Sequence, residues 1–187
     1  MKVGRLTMLI ATSAIGAFAA ASAATPPSAA NDDHDHKNPK VGELIRTVRQ
    51  ATSRFRDVTL AEAEGYQLAF GCVSGPDFGA MGLHYVNFSL VGDGELDPAR
   101  PEIVIYEPLP NGGRKLTGAD FLVLVDDWHA KNTAPPELGG QLLHLFESPN
   151  RFGLPAFYTL HVWAWKDNPV GTFSNWHSRV ACDSFSE

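Results

Sequence analysis

The chain is poor in cysteine and lacks the short motifs that mark common catalytic and nucleotide-binding folds. Only Cys72 and Cys182 occur among 187 residues, and no C-x-x-C spacing points to a redox-active or metal-ligating pair. No G-x-S-x-G elbow, P-loop, dinucleotide fingerprint or H-E-x-x-H helix is present. These absences argue against the hydrolase, nucleotide-binding and metalloprotease activities that these motifs indicate. They do not exclude a site assembled from residues that are distant in the sequence.

Positive charge is also scarce. The chain has 15 Lys and Arg against 21 Asp and Glu, for a formal net charge of −6. Two of the basic side chains, Lys2 and Arg5, lie in an N-terminal leader, so the rest of the chain is more acidic still. A nucleic-acid partner is therefore not expected.

Only one stretch approaches the apolar character of a membrane segment, and it lies at the N-terminus. Residues 1–23 combine two basic side chains, an apolar run over residues 6–21 and an A-x-A cleavage site. This pattern predicts a secretory signal peptide. A retained anchor is the alternative, but the run is rich in Ala and is followed at once by polar residues. We therefore expect a periplasmic or secreted protein with no membrane span after cleavage.

Export favours a disulfide between Cys72 and Cys182, because an even pair in a small exported domain is usually oxidised. The closed loop would span roughly 110 residues, for which chain entropy gives roughly 4 to 5 kcal/mol of stabilisation. The bond would tie the end of the chain to its middle.

After the leader, residues 24–40 read ATPPSAANDDHDHKNPK and have no hydrophobic periodicity, which predicts a disordered tail. Its His34 and His36 alternate among acids and could capture Zn, Cu or Ni, although a solvated acidic tail explains the same composition. Residues 41–187 are long enough for a single globular domain with a real core.

Helical spacing of apolar residues predicts a first helix over residues 42–55. The sequence Thr59-Leu60-Ala61-Glu62 has the form of a capping box and predicts the start of a second helix. Gly65 is placed to end that helix.

From about residue 71 onward the pattern changes to short apolar runs cut by turn-forming residues. Four runs carry the strand signal: LHYVNFSLV, EIVIYEPL, DFLVLVDDW and FYTLHVWAW. Turn signals such as Asp93-Gly94 lie between them and favour hairpins over helical crossovers. We therefore predict an α+β fold, with an antiparallel sheet that curls toward a barrel and two N-terminal helices. The segment GGQLLHLFES, residues 139–148, is predicted as a surface helix over one end of the sheet.

The stretch LHVWAWKDNP places a histidine and two tryptophans at alternate positions. On a strand such residues share one face, so His161, Trp163 and Trp165 are predicted to line a pocket or a barrel interior. In GAMGLHYVNF, His84 and Phe88 alternate in the same way. Phe88 and the two tryptophans are therefore predicted to form the apolar wall of a binding pocket.

An acid closes the otherwise hydrophobic strand EIVIYEP, at Glu107. Two imidazoles and one carboxylate on neighbouring strands would form a facial set of ligands with open positions, so we predict a metal site at His84, Glu107 and His161. Iron, zinc, copper or manganese would suit it. The alternative is that each histidine is bonded to a main-chain carbonyl and that Glu107 is solvated or ion-paired.

Three further histidines are weaker candidates. His129 and His144 could each supply an additional ligand, but their apolar neighbours favour packing roles. His177 lies close to Cys182 in the sequence and is interpreted first as structural.

Several stretches resemble those of a family of uncharacterised exported bacterial proteins: ATSRFRDVTLAEAEGY, GAMGLHYVN, GELDPARPEIVIYEPLPNGGRKLTGADFLV and LHVWAWKDNPVGTFSNWHSRVAC. The similarity in motif order covers residues 45–183. It implies a shared fold and places His84, Glu107 and His161 within the motifs. It implies no activity, and the family's acidic position after LTGA corresponds here to Asp120 followed by Phe121.

Three functions remain open on the sequence alone. The first is a metalloprotein whose ion activates oxygen or water behind an aromatic wall. The second is a module that binds a small apolar or aromatic molecule without a metal. The third is a structural envelope protein, so the sequence leaves open whether the chain is an enzyme.

Overall fold

The computed structural model describes residues 39–75 and 77–186. The predicted signal peptide and the tail residues His34 and His36 lie outside these ranges. Among the described residues, no helix has the length and apolarity to span a bilayer.

The described chain contains four α-helices, one 3-10 helix and eight strands. The helices are α1 (Pro39–Thr52), a 3-10 turn (Ser53–Arg56), α2 (Val58–Ala63), α3 (Phe88–Val91) and α4 (Val125–His129). The strands are β1 (Gln67–Gly75), β2 (Gly79–Val86), β3 (Ile103–Pro108), β4 (Arg114–Leu124), β5 (Glu137–Leu138), β6 (Gln141–Leu142), β7 (His144–Phe146) and β8 (Phe157–Val162).

Six strands form one curled antiparallel sheet in the order β1-β2-β3-β4-β8-β7, and β5 and β6 form a separate small hairpin. All pairs in the sheet are antiparallel. The prediction of an α+β fold with a curled antiparallel sheet after two N-terminal helices is confirmed. The first helix begins at Pro39, two residues inside the segment predicted as a tail.

One side of the sheet, which we call the outer face, packs on the N-terminal helices. Helix α1 buries an apolar stripe that includes Val41, Leu44 and Val48, as its helical spacing predicts. This stripe contacts Phe121 of β4 and Leu160 of β8 within one buried cluster. The outer face therefore anchors the two strands that carry the acid and one histidine of the site described below.

Helix α2 is capped differently from the prediction. Its N-cap is Asp57, whose side chain accepts a hydrogen bond from the Thr59 backbone N–H at 3.1 Å. The box predicted at Thr59 is therefore wrong by two residues, since Asp57 already supplies the capping oxygen. Gly65 follows the helix with φ of +94°, as expected for a residue that ends a helix.

The predicted surface helix over residues 139–148 is wrong. Gly139 and Gly140 have φ of +58° and +82°, which turns the chain between β5 and β6. The following residues form β7, which pairs with β8 at the edge of the sheet. In that register Phe146 stacks on Phe157 with ring centroids 5.2 Å apart.

The predicted disulfide is present between Cys72 and Cys182, with a Cα–Cα distance of 5.7 Å. Cys72 lies on β1 opposite Leu83 of β2. The segment that leads to Cys182 also pairs with the sheet through a bridge between Ala80 and His177. The C-terminal segment is thus fastened beside β2, the strand that carries His84.

Candidate metal centre

His84, Asp120 and His161 come from three strands of the sheet. Asp120 of β4 is the direct register partner of His161 on β8. His84 lies on β2 opposite Ile105 of β3. Neighbouring strands are about 4.8 Å apart, so in a flat sheet β2 and β8 would be separated by about 14 Å. Yet the rings of His84 and His161 have centroids only 5.7 Å apart.

The curl of the sheet explains this proximity. The three side chains project from the side opposite the N-terminal helices, which we call the inner face, and the curl brings them toward one another. Each offers a ligand atom, and these atoms all lie within 4.8 Å of one another. Their residues are only 3%, 5% and 2% exposed, in the order His84, Asp120 and His161. The inner face therefore holds a buried group of two imidazoles and one carboxylate that could hold a metal ion.

The position of His84 is fixed by a main-chain contact. Its Nδ1 lies 3.1 Å from the Gly82 carbonyl oxygen and donates to it, which leaves Nε2 as the nitrogen with the free lone pair. Gly82 has φ of +99°, and a Cβ there would come within 2.5 Å of the Tyr106 carbonyl oxygen. Burial, followed by the nearby His161, lowers the pKa of His84 to about 4. The ring is therefore neutral at pH 7, as a metal ligand must be.

Asp120 is held by two side chains of β8. Thr159 donates from its hydroxyl to Oδ1 at 2.5 Å, and Nδ1 of His161 lies 3.4 Å from Oδ2. Burial alone would raise the pKa of Asp120, but its interactions with His161 and Thr159 outweigh burial and hold the pKa below its usual value. The acid is therefore ionised and supplies a negative charge in the site.

His161 keeps one nitrogen without a partner. Its Nδ1 faces the Asp120 carboxylate, while Nε2 is buried and makes no hydrogen bond. His177 shows the contrast: its Nδ1 accepts from the Arg179 N–H at 3.0 Å and its Nε2 lies 3.1 Å from the Asp167 carbonyl oxygen. Structural histidines normally satisfy both nitrogens in this way, so the unpaired atom of His161 needs an explanation.

The three side chains line one small cavity of about 20 Å³, which is enough for one water-sized body. The rest of its wall is mainly apolar and rich in phenylalanine: Phe70, Met81, Ile103, Leu122, Phe146, Phe152, Leu154 and Phe157. Thr159 and Asn175 add polar groups to the lining. The Oδ1 atom of Asn175 is buried and, like Nε2 of His161, has no hydrogen-bond partner.

Glu107, the acid predicted as the third ligand, lies elsewhere. Its two carboxylate oxygens accept from Nζ of Lys166 at 2.6 and 2.7 Å. A shift in the pairing of β3 and β4 lies between Ile105 and Tyr106, just before this position. The structure thus brings His84 and His161 together with Asp120, and it gives Glu107 a cationic partner.

The predicted aromatic wall is also located differently. Phe88 begins α3 and is 51% exposed, because β2 ends at Val86 and Asn87 caps a helical turn. Trp163 contacts the rings of His161 and His177, at centroid distances of 5.3 and 4.7 Å, but does not line the cavity. The wall around the cluster contains four phenylalanines together with Met81 and aliphatic side chains, and neither tryptophan is part of it.

Trp165 leaves the predicted common face because β8 ends at Val162. Its Nε1 donates to the Thr52 hydroxyl of α1 at 3.0 Å, and the Arg56 guanidinium lies 4.3 Å from its ring. It therefore packs on the helical side of the sheet.

The other histidines that the structure describes take no part in the cluster. His129 lies with its two ring nitrogens 3.0 Å from the Asn132 carbonyl oxygen and 3.0 Å from the Tyr158 hydroxyl. His144 is exposed on the edge strand β7. The residues that sequence reasoning missed are Asp120 and Asn175. An alternation signal existed for Asp120, since it lies two residues before Leu122 on the inner face, whereas Asn175 lies in an irregular segment.

No protein-family model, curated protein or solved structure matches the chain. The motif resemblance therefore remains an expectation, and any assignment of function depends on the geometry of the site itself.

Proposed function

We propose that this is a periplasmic or secreted protein that binds one divalent transition-metal ion, iron, zinc, copper or manganese, through His84, Asp120 and His161. The observation that carries the proposal is the unpaired Nε2 of His161, buried beside a second imidazole and an ionised carboxylate. Leaving such an atom unpaired costs about 1 to 3 kcal/mol, a cost that coordination to an ion removes.

The hydrogen bonds around the cluster support the same assignment. Metal-ligating histidines commonly donate their second ring nitrogen to a carbonyl or a carboxylate, which fixes the ring and its tautomer. His84 donates in this way to the Gly82 carbonyl, and Nδ1 of His161 faces Asp120. Both rings are thus oriented to offer Nε2.

The two imidazoles supply nitrogen ligands, the Asp120 carboxylate beside Nδ1 of His161 adds a negative charge that favours a cation, and positions are left open for water or a substrate. Such a set suits non-haem iron, zinc, manganese or copper. An ion bound there would act as a Lewis acid or would lower the pKa of a bound water. The disulfide Cys72–Cys182 is compatible with an exported protein, since disulfides persist in oxidising compartments.

The test is metal titration of the full chain purified without an affinity tag. We expect one equivalent of a transition metal by elemental analysis or calorimetry, and a loss of at least tenfold in affinity for His84→Gln and His161→Gln. His144→Gln is the matched control, because it removes an exposed histidine and should leave binding unchanged.

A variant lacking residues 31–37 separates the cluster from the histidines of the tail. Retention of the tight site in this variant supports the proposal. Loss of all binding on this deletion, or unchanged binding in folded His161→Gln, would overturn it; circular dichroism checks that each variant folds.

A further inference from the structure

The pocket lined by His84, Asp120 and His161 contains a second buried polar atom without a hydrogen-bond partner. Oδ1 of Asn175 is buried without a partner in the wall that also holds Nε2 of His161. When Nδ1 of His161 donates to Asp120, Nε2 carries a lone pair, so both unmet atoms are acceptors. Two acceptors cannot satisfy one another. Each requires its own electropositive partner.

The rest of the wall can satisfy neither atom. Apart from the ligands, Thr159 and Asn175, the lining residues have apolar side chains. The Thr159 hydroxyl is already committed to Asp120. If an ion takes Nε2 of His161, the remaining acceptor at Asn175 is left for a group brought in by a bound molecule. A buried acceptor of this kind discriminates strongly between ligands with and without a donor.

Among the residues that line this pocket, Phe70 is the most exposed, and its ring contacts that of Phe152 edge-to-face with centroids 5.4 Å apart. Phe70 has φ of +65° within an irregularity of the β1–β2 pairing, a conformation that a bulky side chain rarely adopts. Strained residues of this type cluster at ligand clamps and active sites. Phe70 is also 37% exposed, so its ring can turn outward into solvent.

Phe152, also in the lining, is less exposed and has more ring contacts than Phe70. It contacts the rings of Phe146 and Phe157 at centroid distances of 6.5 and 6.1 Å. Its neighbour Arg151 donates to the carbonyl of Ser74 on β1 at 3.3 Å. The cavity of about 20 Å³ holds an ion or a water, so a ring-sized molecule fits only when lining side chains move aside.

We infer that the pocket binds a compact apolar molecule that carries one hydrogen-bond donor, such as a phenol-sized ring with a hydroxyl, and that Asn175 determines this preference. Phe70, the most exposed of the lining residues, is displaced by the ligand. The inference rests on the proposed metal function, because the ion occupies Nε2 of His161 and leaves Asn175 as the free acceptor.

The test compares three probes of similar size in calorimetric titrations of the metal-loaded protein: phenol, anisole and toluene. Phenol is expected to bind roughly tenfold more tightly than anisole, whose ether oxygen cannot donate. Asn175→Leu should abolish this preference, whereas Asn175→Asp, which keeps an acceptor oxygen, should retain it. Equal binding of phenol and anisole by the wild type, or a preference that survives Asn175→Leu, would overturn the inference.

The role of Phe70 is tested with the same probes. Phe70→Ala should speed phenol association several-fold in stopped-flow measurements. Phe88→Ala is the matched control, because Phe88 is an exposed phenylalanine outside the pocket, and it should leave the rate unchanged. Unchanged association in Phe70→Ala would contradict displacement of this ring by the ligand.

Titration of metal-free protein distinguishes the two proposals. Metal binding without any phenol binding up to roughly 10 mM, a weak limit for a specific site, overturns this inference and leaves the metal site intact. Donor-selective phenol binding that Asn175→Leu abolishes, in a protein that takes up no metal, would support the Asn175 preference and overturn the proposed metal function.

Discussion

Asp120 and His161 are register partners on adjacent strands, and a carboxylate oxygen of Asp120 lies 3.4 Å from Nδ1 of His161. Because the two strands are held by the sheet and packed on α1, this contact does not depend on a mobile loop. The acid can therefore orient the imidazole while its negative charge favours a cation nearby.

The first prediction concerns this pair. Asp120→Asn keeps the size of the side chain but removes its charge, so metal affinity should fall by about 10- to 100-fold. Calorimetric titration would measure the change. Asp126→Asn in α4 is the control. Because Asp126 lies outside the cluster, this variant should bind metal as tightly as the wild type does.

The second prediction separates the observed acid from the acid expected on sequence grounds. Glu107→Gln should leave metal affinity within about twofold of wild type, because its carboxylate binds Lys166 and does not join the cluster. Loss of the partly exposed ion pair should cost no more than about 1 kcal/mol in the free energy of unfolding. A tenfold drop in metal affinity for this variant would contradict the ligand set argued above.

The third prediction is a dependence of stability on pH from Glu102. This residue is buried, and its carboxylate accepts from the Leu122 N–H at 3.0 Å. Burial raises the pKa of Glu102 from its usual 4.5 to about 8. Between these values the folded state binds more protons than the unfolded state, so the contribution of Glu102 to stability is present below pH 4.5 and is lost as pH rises to about 8.

Glu102→Gln keeps an acceptor oxygen and removes the titration. Urea unfolding at pH 5 and pH 8 measures the free energy of unfolding of both proteins. From pH 5 to pH 8 this free energy should fall more in the wild type than in the variant, by up to about a few kcal/mol. Parallel pH profiles for the two proteins would show that Glu102 titrates normally in the fold.

The fourth prediction concerns the disulfide. Replacement of Cys72 and Cys182 together by alanine should lower the free energy of unfolding by about 2 to 5 kcal/mol. The bond closes a loop with a separation of 110 residues and fastens the C-terminal segment to β1. Denaturant unfolding of the double variant would measure the loss, with reduced wild-type protein as the comparison. Equal stability of the oxidised and alanine forms would refute this account.

Local sequence patterns predicted much of the fold because they are read over few residues. The stripe on α1 follows from helical periodicity, and β3, β4 and β8 follow from short apolar runs bounded by turn residues. Strand ends were predicted less well. Asn87 caps a turn that ends β2, and this capping removed Phe88 from the face assigned to it.

The candidate site was predicted in part for a related reason. Alternation placed His84 and His161 on the inner face, and the curl of the sheet then brought them together. The choice between Glu107 and Asp120 depended on the register shift in the β3–β4 pairing between Ile105 and Tyr106, an irregularity that no short pattern in this sequence indicates. Asn175 lies in an irregular segment, where the periodicity rules do not apply.

The Cys72–Cys182 disulfide lies next to the strand that carries His84. Cys72 pairs in register with Leu83, the residue directly before His84. The disulfide therefore restrains β2, the strand that carries this imidazole. A chain still in a reducing environment lacks this restraint and holds its two imidazoles less firmly at their mutual spacing. For the exported metal-binding protein proposed above, oxidation of this disulfide would then precede binding of the ion.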